Sequence, residues 1–301
     1  MKHGFFAVAL VLIGAAGPSA PPLLLREQAW TASGANLAHT LTHHQSECLA
    51  RRDQQIEIGR ALFRSPALLG GPAARAGLSC HACHSNGGMN TAFLLPELTD
   101  RPGHADVTSE WASATLGDGV SNPIAIPDLA GASGKSSFGR LQVASLEQFT
   151  RNVIEQEFQG ETPPAQAFDG VLSYMRALRL SACPAEAESA ITLASAADDV
   201  RRAINAAREA DAPTRSLLLL SAQDAVGRIV ERLPAARFRR ERSRLEGLAR
   251  DAGAARDASD PIAALETTAW STRFDAVIAQ LARDERRTYF NEPTLARALH
   301  N

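Results

Sequence analysis

The stretch Leu78-Ser79-Cys80-His81-Ala82-Cys83-His84 contains the most specific pattern of the chain, a C-x-x-C-H motif. Two thiols at this spacing lie on one helical turn, so both can reach one edge of a porphyrin. The histidine directly after the second thiol can then supply an axial nitrogen to the iron. The motif therefore predicts one covalently attached haem c, held by Cys80 and Cys83, with His84 as the proximal iron ligand.

Three other kinds of site also use closely spaced cysteines. A structural zinc site needs four ligands, usually as two close pairs, and the sequence has no second Cys/His pair of this kind. A thioredoxin-like redox pair belongs to a βαβ unit, for which the sequence shows no pattern. A simple disulfide between Cys80 and Cys83 leaves His84 without a role. Haem attachment is the interpretation that uses all three residues.

The first 20 residues have the layout of a secretory signal peptide. A charged start at Lys2 is followed by an apolar stretch over residues 5–16 and by small residues up to Ala20, as in signal peptides. The apolar stretch is shorter than the ~20 residues that span a bilayer, and an uncleaved membrane anchor is the alternative. We expect an exported, periplasmic protein with no membrane span once the signal is removed.

The composition excludes several classes of protein. The 301 residues are 45% hydrophobic and 21% charged, an ordinary globular balance that excludes wholesale disorder. The net charge of −2 gives no sign of the basic face that nucleic-acid binding needs. We expect no nucleic-acid partner, and a redox protein or a small redox substrate as the partner instead.

The chain divides into four parts by composition. The signal peptide (1–20) precedes a polar lead-in segment (21–50), a haem-binding part (51–184) and an Ala/Arg-rich part without cysteine (185–301). Helical periodicity appears in the last two parts, and strands are not predicted before residue 185. The predicted helices are Arg51–Phe63, Leu146–Phe158, Ala165–Leu180, Asp198–Ala210, Ser216–Leu233, Ala235–Arg250 and Pro261–Arg283.

Several stretches of the haem-binding part resemble the bacterial dihaem cytochrome c peroxidase family, which includes the methylamine-utilisation haem enzyme. Ile58–Phe63 followed by the C-x-x-C-H motif resembles the opening of the family's haem domain. The other similar stretches are Asn122–Leu129 (the Pro-x-Leu segment beside the haem), Leu146–Phe149 (the helix start that follows it) and Leu172–Leu178 (the closing helix of cytochrome c domains). The resemblance covers about residues 54–180, and the chain has one haem motif where the family has two.

The resemblance implies a fold and a choice of functions. The expected fold is mainly α, with a cytochrome c-like haem domain followed by an α-helical, bundle-like domain. The expected function is electron transfer by an exported monohaem cytochrome. The alternatives are a peroxidase-like haem enzyme and a haem-bearing sensor or binding module.

The sixth coordination position of the iron decides between these functions, because a carrier usually fills it and a catalyst leaves it open. His104 follows a turn that can fold back over the haem, and it is the candidate distal ligand. The alternatives are a surface-loop histidine and an open position. Met89 stands too close to His84 along the chain, and Met175 falls on an apolar helix face, so neither is expected to ligate the iron.

Cys48 and Cys183 flank the region of resemblance. The first and last helices of cytochrome c domains cross, which implies that these flanking cysteines come close together. Export to an oxidising compartment favours a disulfide between them, with two free thiols as the alternative.

Two further groups of polar residues have an ordinary interpretation and a functional one. His39, His43 and His44 form a cluster that is interpreted as part of a solvated tail, with a folded-back ligand or a metal site as the alternative. Glu155 and Glu157 are interpreted as exposed helix carboxylates. The alternative for them is an acid that transfers a proton near an open haem.

Overall fold

A computed structural model describes residues 24–138 and 145–300 of the chain. The predicted signal peptide (1–20) lies outside the described residues. Within them the chain is mainly helical, as predicted. The helices are α1 (Leu37–Thr40), α2 (Gln54–Phe63), α3 (Gly71–Arg75), α4 (Cys80–Cys83), α5 (Leu146–Asn152), α6 (Ala165–Ala177), α7 (Leu193–Glu209), α8 (Ala212–Glu231), α9 (Arg239–Arg256), α10 (Pro261–Thr267), α11 (Trp270–Ala282) and α12 (Glu292–Leu299). In the part of the chain described, no helix has both the length and the apolar content needed to cross a membrane.

The helix ends follow local capping chemistry. α2 begins after Asp53, whose carboxylate accepts a hydrogen bond from the Ile56 N–H, and α8 begins after Asp211, which caps it in the same way. Such side-chain bonds satisfy N–H groups that have no partner within the helix. The single helix predicted over Pro261–Arg283 is wrong, because Ala269 adopts a left-handed conformation with φ 48° and separates α10 from α11.

Four short strands form two antiparallel pairs that periodicity does not predict. The strands are β1 (His43–Gln45), β2 (His104–Ala105), β3 (Ile124–Ala125) and β4 (Glu188–Ala190). β1 pairs with β4, with His43 opposite Ala190, and β2 pairs with β3. The β1–β4 pair fixes the lead-in segment against the start of the Ala/Arg-rich part. The interpretation of the lead-in as a solvated tail is therefore wrong, and its residues Leu41 and Thr42 are each 1% exposed.

One hydrophobic core continues across the boundary predicted at residue 184. It includes residues of α2 and α6 from the haem-binding part and of α7 to α11 from the Ala/Arg-rich part. α2 packs against α6, and also against α7 and α8. The α2–α6 contact is close because two glycines face each other: a Cβ added at Gly59 would overlap the Gly170 carbonyl. A second apolar cluster, around Trp30, Phe93 and Leu98, lies beneath the loops between α4 and α5.

Buried ion pairs join the same elements. The Asp199 carboxylate on α7 lies 2.6 Å from Arg60 Nη1, 3.5 Å from Arg64 Nη1 and 4.0 Å from Arg228 Nη2. Burial alone would raise the pKa of Asp199, but the three guanidinium groups outweigh it and hold that pKa below its usual range. Glu47 of the lead-in segment adds a second carboxylate, 2.8 Å from Arg60 Nε. Charged contacts thus connect the lead-in segment, α2, α7 and α8.

A disulfide joins Cys48 and Cys183, with an S–S distance of 2.05 Å. Next to it the Arg179 N–H donates to the Cys48 carbonyl at 2.8 Å. The bond therefore connects the end of the lead-in segment to the chain just after α6. The two cysteines are 135 residues apart in sequence, and the C-x-x-C-H motif lies between them.

Removing this disulfide should lower the free energy of unfolding. A cross-link across so long a loop restricts the unfolded chain, and its loss typically costs about 2–4 kcal/mol. We expect the Cys48→Ala/Cys183→Ala variant to unfold in urea at a lower midpoint, followed by circular dichroism. Reduced wild-type protein is the control and should match the variant. An unchanged midpoint in both samples would contradict the prediction.

Candidate haem-attachment site

The C-x-x-C-H motif forms one helical turn. α4 covers Cys80–Cys83 and begins after Ser79, which has extended backbone angles. Leu78, two residues before the turn, is buried, with 2% of its surface exposed. The His84 N–H donates to the Cys80 carbonyl at 2.9 Å, and at His84 the chain leaves the helix, with φ −118° and ψ 69°. The two thiols and the imidazole therefore come from one turn and its C-cap.

His84 is held in one orientation by the loop that precedes α5. Its Nδ1 lies 3.0 Å from the carbonyl oxygen of Pro127. Because a carbonyl only accepts, Nδ1 carries the proton and Nε2 carries a free lone pair. Burial lowers the pKa of His84 to about 4, so the ring is neutral at physiological pH. A neutral imidazole with one nitrogen fixed by a backbone carbonyl is the usual state of a metal-ligating histidine.

The Pro127 segment is fastened to the attachment loop. The Leu129 N–H donates to the Gly87 carbonyl at 2.8 Å. Gly87 has φ 86°, and a Cβ at this position would overlap the side chain of Leu178. Only glycine adopts this backbone conformation without strain in so little space. The attachment loop, the Pro127 segment and the end of α6 therefore meet at one point.

Both thiols of the motif are free and lie against apolar side chains. Cys80 packs against the main core and Cys83 against the second cluster, and neither forms a disulfide. Burial raises the pKa of Cys80 to about 12 and also raises the pKa of Cys83. Thioredoxin-type cysteines have lowered pKa values instead, so this environment disfavours a thiol-redox role. Within the described ranges, the cluster with metal-ligand spacing contains neither Cys80 nor Cys83, which disfavours a zinc site here.

These residues fit haem c. Covalent attachment needs two unbonded thiols on one turn, and the iron needs an imidazole nitrogen with a free lone pair. Cys80, Cys83 and His84 meet these needs, and the apolar clusters beside both thiols suit the hydrophobic faces of a porphyrin. The sequence motif located these residues, whereas the carbonyl of Pro127 as the partner of His84 has no signal in the motif itself.

The histidine inside the motif points to a different part of the molecule. His81 Nε2 lies 3.2 Å from His44 Nδ1, and the Asn86 N–H donates to His81 Nδ1 at 3.0 Å. Burial lowers the pKa of His44 to about 4 and the pKa of His81 well below its usual value. Both rings line a cavity of about 500 Å³ that also borders the ion pairs of Asp199. Cys80, Cys83 and His84 do not line this cavity.

His104 lies near the segment that orients His84. It occupies β2, opposite Ala125 of β3, and β3 ends two residues before Pro127. Its Nδ1 lies 3.2 Å from the Pro102 carbonyl, so its Nε2 also has a free lone pair. Within residues 24–138 and 145–300, no hydrogen bond joins His104 to the C-x-x-C-H motif. Ligation of the iron by His104 stays a prediction.

Met175 and Met89 occupy the kinds of position that the sequence predicts. Met175 is 6% exposed and belongs to the main core. Met89 follows the attachment loop and is 38% exposed. Neither placement indicates an iron ligand.

The interpretation of Glu157 as an exposed helix carboxylate is wrong. α5 continues into a π-helical turn over Val153–Glu157, and Glu157 is 3% exposed. Burial, followed by the nearby charge of Asp106, raises the pKa of Glu157 to about 7. Its Oε2 atom has no hydrogen-bond partner among the described residues. Glu155 is half-buried and pairs with Arg151 at 3.3 Å.

Glu157 should make the stability of the protein depend on pH. Its folded-state pKa of about 7 lies above the ordinary value of 4.5, so the folded state retains a proton that the unfolded state releases between these values. The contribution of Glu157 to the free energy of unfolding should therefore be largest below pH 4.5. It should fall by up to ~3 kcal/mol as the pH rises through 7. Urea titrations at pH 5 and pH 8 should show that the free energy of unfolding falls less between these values in the Glu157→Gln variant than in the wild type. Parallel pH profiles for variant and wild type would contradict the assignment.

Comparisons with known proteins do not assign the chain to a family. No protein-family model matches the chain, and no curated protein or solved structure matches it. The resemblance to the dihaem cytochrome c peroxidase family stays a prediction, and the functional argument rests on the residues themselves.

Proposed function

We propose that this protein is an exported monohaem c-type cytochrome that carries electrons. Cys80 and Cys83 would hold one haem c, and His84 would ligate its iron. The observation that carries the proposal is the bond from His84 Nδ1 to the Pro127 carbonyl at 3.0 Å. A structural surface histidine has no need of a fixed tautomer, whereas an iron ligand does.

Haem, when bound, supplies one-electron exchange between ferrous and ferric iron. The chain's own residues hold and orient it. The carbonyls of Ala82 and Cys83 accept hydrogen bonds from the side chain and the backbone N–H of Asn90, at 2.8 and 2.9 Å. These bonds fix the last turn of α4 and with it the direction of His84. The partner we propose is a redox protein or a small redox substrate.

Spectroscopy of the exported protein tests this proposal. We expect a haem that stays with the chain through denaturing electrophoresis, cycles reversibly in a redox titration, and is low-spin in the ferric state. Ferric iron that converts from low-spin to high-spin in the His104→Gly variant would identify His104 as the sixth ligand. A chain that acquires no covalent haem during export with a functioning cytochrome c maturation system would overturn the proposal.

Glu157 favours a peroxidase-like enzyme as the second candidate function. A buried carboxyl with a pKa near 7 can both accept and donate a proton under physiological conditions. In this case the ferric protein should be high-spin and should oxidise an electron donor at the expense of hydrogen peroxide. The Glu157→Gln substitution should then lower the rate of peroxide-dependent oxidation by at least 10²-fold and leave the haem spectrum unchanged. A low-spin wild type without peroxide turnover excludes this candidate.

A further inference from the structure

A second cluster of ligating side chains lies away from the haem-attachment motif. His39 belongs to α1, His43 begins β1, and Glu292 is the first residue of α12. One ligating atom from each lies within 4.8 Å of the other two. His39 Nδ1 and His43 Nδ1 are 3.1 and 3.7 Å from Glu292 Oε2. Donor atoms that share a metal ion at 2.0–2.2 Å lie about 3–4 Å from one another. The two imidazole rings stack, with centroids 4.1 Å apart and an interplanar angle of 16°, so one ring would turn for both lone pairs to meet at an ion.

A fourth residue orients one of the histidines. Glu188 Oε2 lies 3.1 Å from His39 Nε2, the ring nitrogen on the side away from Glu292. A carboxylate that accepts from Nε2–H leaves the lone pair on Nδ1, where the other two donors converge. This carboxylate–histidine arrangement is the usual outer shell of a protein metal site. It is an observation independent of the three donors.

The backbone brings these residues together without any ion. Leu41 and Leu295 pack in a small apolar cluster that holds α1 against α12. His43 and Glu188 are fixed by the β1–β4 pairing. The donors and the orienting Glu188 therefore come from three separate stretches of the chain, residues 39–43, 188 and 292, that the fold already holds in place.

We propose that His39, His43 and Glu292 bind a divalent transition-metal ion of the zinc class, with Glu188 as the residue that positions His39. Two imidazoles and one carboxylate are a donor set that suits such ions and leaves a coordination position for water. The side chains of His39 and Glu292 are 45% and 41% exposed, so an ion can enter from solvent. The bound ion would connect the lead-in segment directly to the last helix.

Zinc content and affinity test this site in the full chain. After removal of metals with a chelator and reloading with Zn²⁺, we expect the wild type to retain about one more zinc per chain than His39→Gln or Glu292→Gln. Glu188→Gln should keep the stoichiometry and weaken the affinity by about 10–100-fold, as loss of an outer-shell partner does. His300→Gln and Glu246→Gln replace exposed residues of the same types outside the cluster and should behave as the wild type.

Cobalt distinguishes this site from the thiols without relying on any variant. Co²⁺ bound to nitrogen and oxygen ligands absorbs weakly in the visible range, whereas thiolate ligation adds a strong charge-transfer band in the near ultraviolet. Haem would absorb in the same range, so the spectrum is read on the full chain produced without cytochrome c maturation, in which both thiols are free. There we expect the weak spectrum alone with one equivalent of Co²⁺. Equal zinc content in wild type, His39→Gln and Glu292→Gln, or a thiolate band at this first equivalent, would overturn the proposal and leave the cluster as an ion pair between histidines and carboxylates.

Discussion

Replacing Cys80 and Cys83 together by alanine should abolish covalent haem in the exported protein. In the proposed site each thiol would form one of the two bonds to haem, and no other free cysteine is present among the described residues. Haem staining after denaturing electrophoresis should show a band for the wild type and none for the double variant. Acid–acetone extraction should likewise leave colour only on the wild-type chain.

The disulfide cysteines provide the matched control for this experiment. Cys48→Ala/Cys183→Ala also removes two cysteines, but these are bonded to each other and should leave haem attachment intact. Covalent haem that persists in the Cys80→Ala/Cys83→Ala variant would refute the site. If only the Cys48→Ala/Cys183→Ala control lost its haem, the assignment of attachment to Cys80 and Cys83 would be wrong.

Changing Asp199 to Asn should destabilise the protein by about 3–5 kcal/mol, because it removes the buried carboxylate that three guanidinium groups share. Arg60 and Arg64 reach Asp199 from α2, and Arg228 reaches it from α8. We expect a large drop in the urea midpoint, measured by circular dichroism at pH 7. The contribution of Asp199 is present above its unfolded-state pKa, near the ordinary value of 3.8, and is lost as the pH falls through its lowered folded-state pKa. The difference between variant and wild type should therefore shrink in strongly acidic solution.

Asp198 is the control for this variant, since it carries the same group at the adjacent position. Its side chain is 55% exposed and pairs with Arg201 at 3.0 Å. Exposed pairs of this kind contribute about 0–1 kcal/mol, so Asp198→Asn should have little effect. Similar losses of stability in both variants would show that burial of the Asp199 ion pairs is not what matters.

The sequence predicts those features of this protein that arise from residues close together in the chain. The C-x-x-C-H spacing predicts that Cys80, Cys83 and His84 lie together, and one helical turn does bring them together. The apolar periodicity of α2, α6 and α8 is strong enough to identify them as helices. Their ends are less predictable because capping by residues such as Asp53 and Asp211 shifts each boundary by a few positions.

Other features depend on contacts between distant segments and leave no local pattern. β1 pairs with β4 across more than a hundred residues, and a strand of three residues shows no clear alternation. Ala269 separates two helices without the glycine or proline that usually marks a break. Glu157 lies at the end of a π-helical turn, which adds a residue to the turn and rotates the following side chains relative to an α-helical projection. An α-helical projection already places Glu157 on the same face as the buried Leu146 and Thr150, so only the charge of its side chain favoured an exposed position.

The packing of α2 on both sides limits how the protein can be divided. A fragment that ends at Pro184 would keep the C-x-x-C-H motif and both disulfide cysteines, so by sequence it would look like a complete haem domain. It would lack α7 and α8, which cover one side of α2, and Arg60 and Arg64 would lose the carboxylate of Asp199. Such a fragment would expose apolar surface and would leave Glu47 as the carboxylate that Arg60 and Arg64 share. Domain shuffling in evolution, like truncation in the laboratory, would therefore have to move the two halves as a unit.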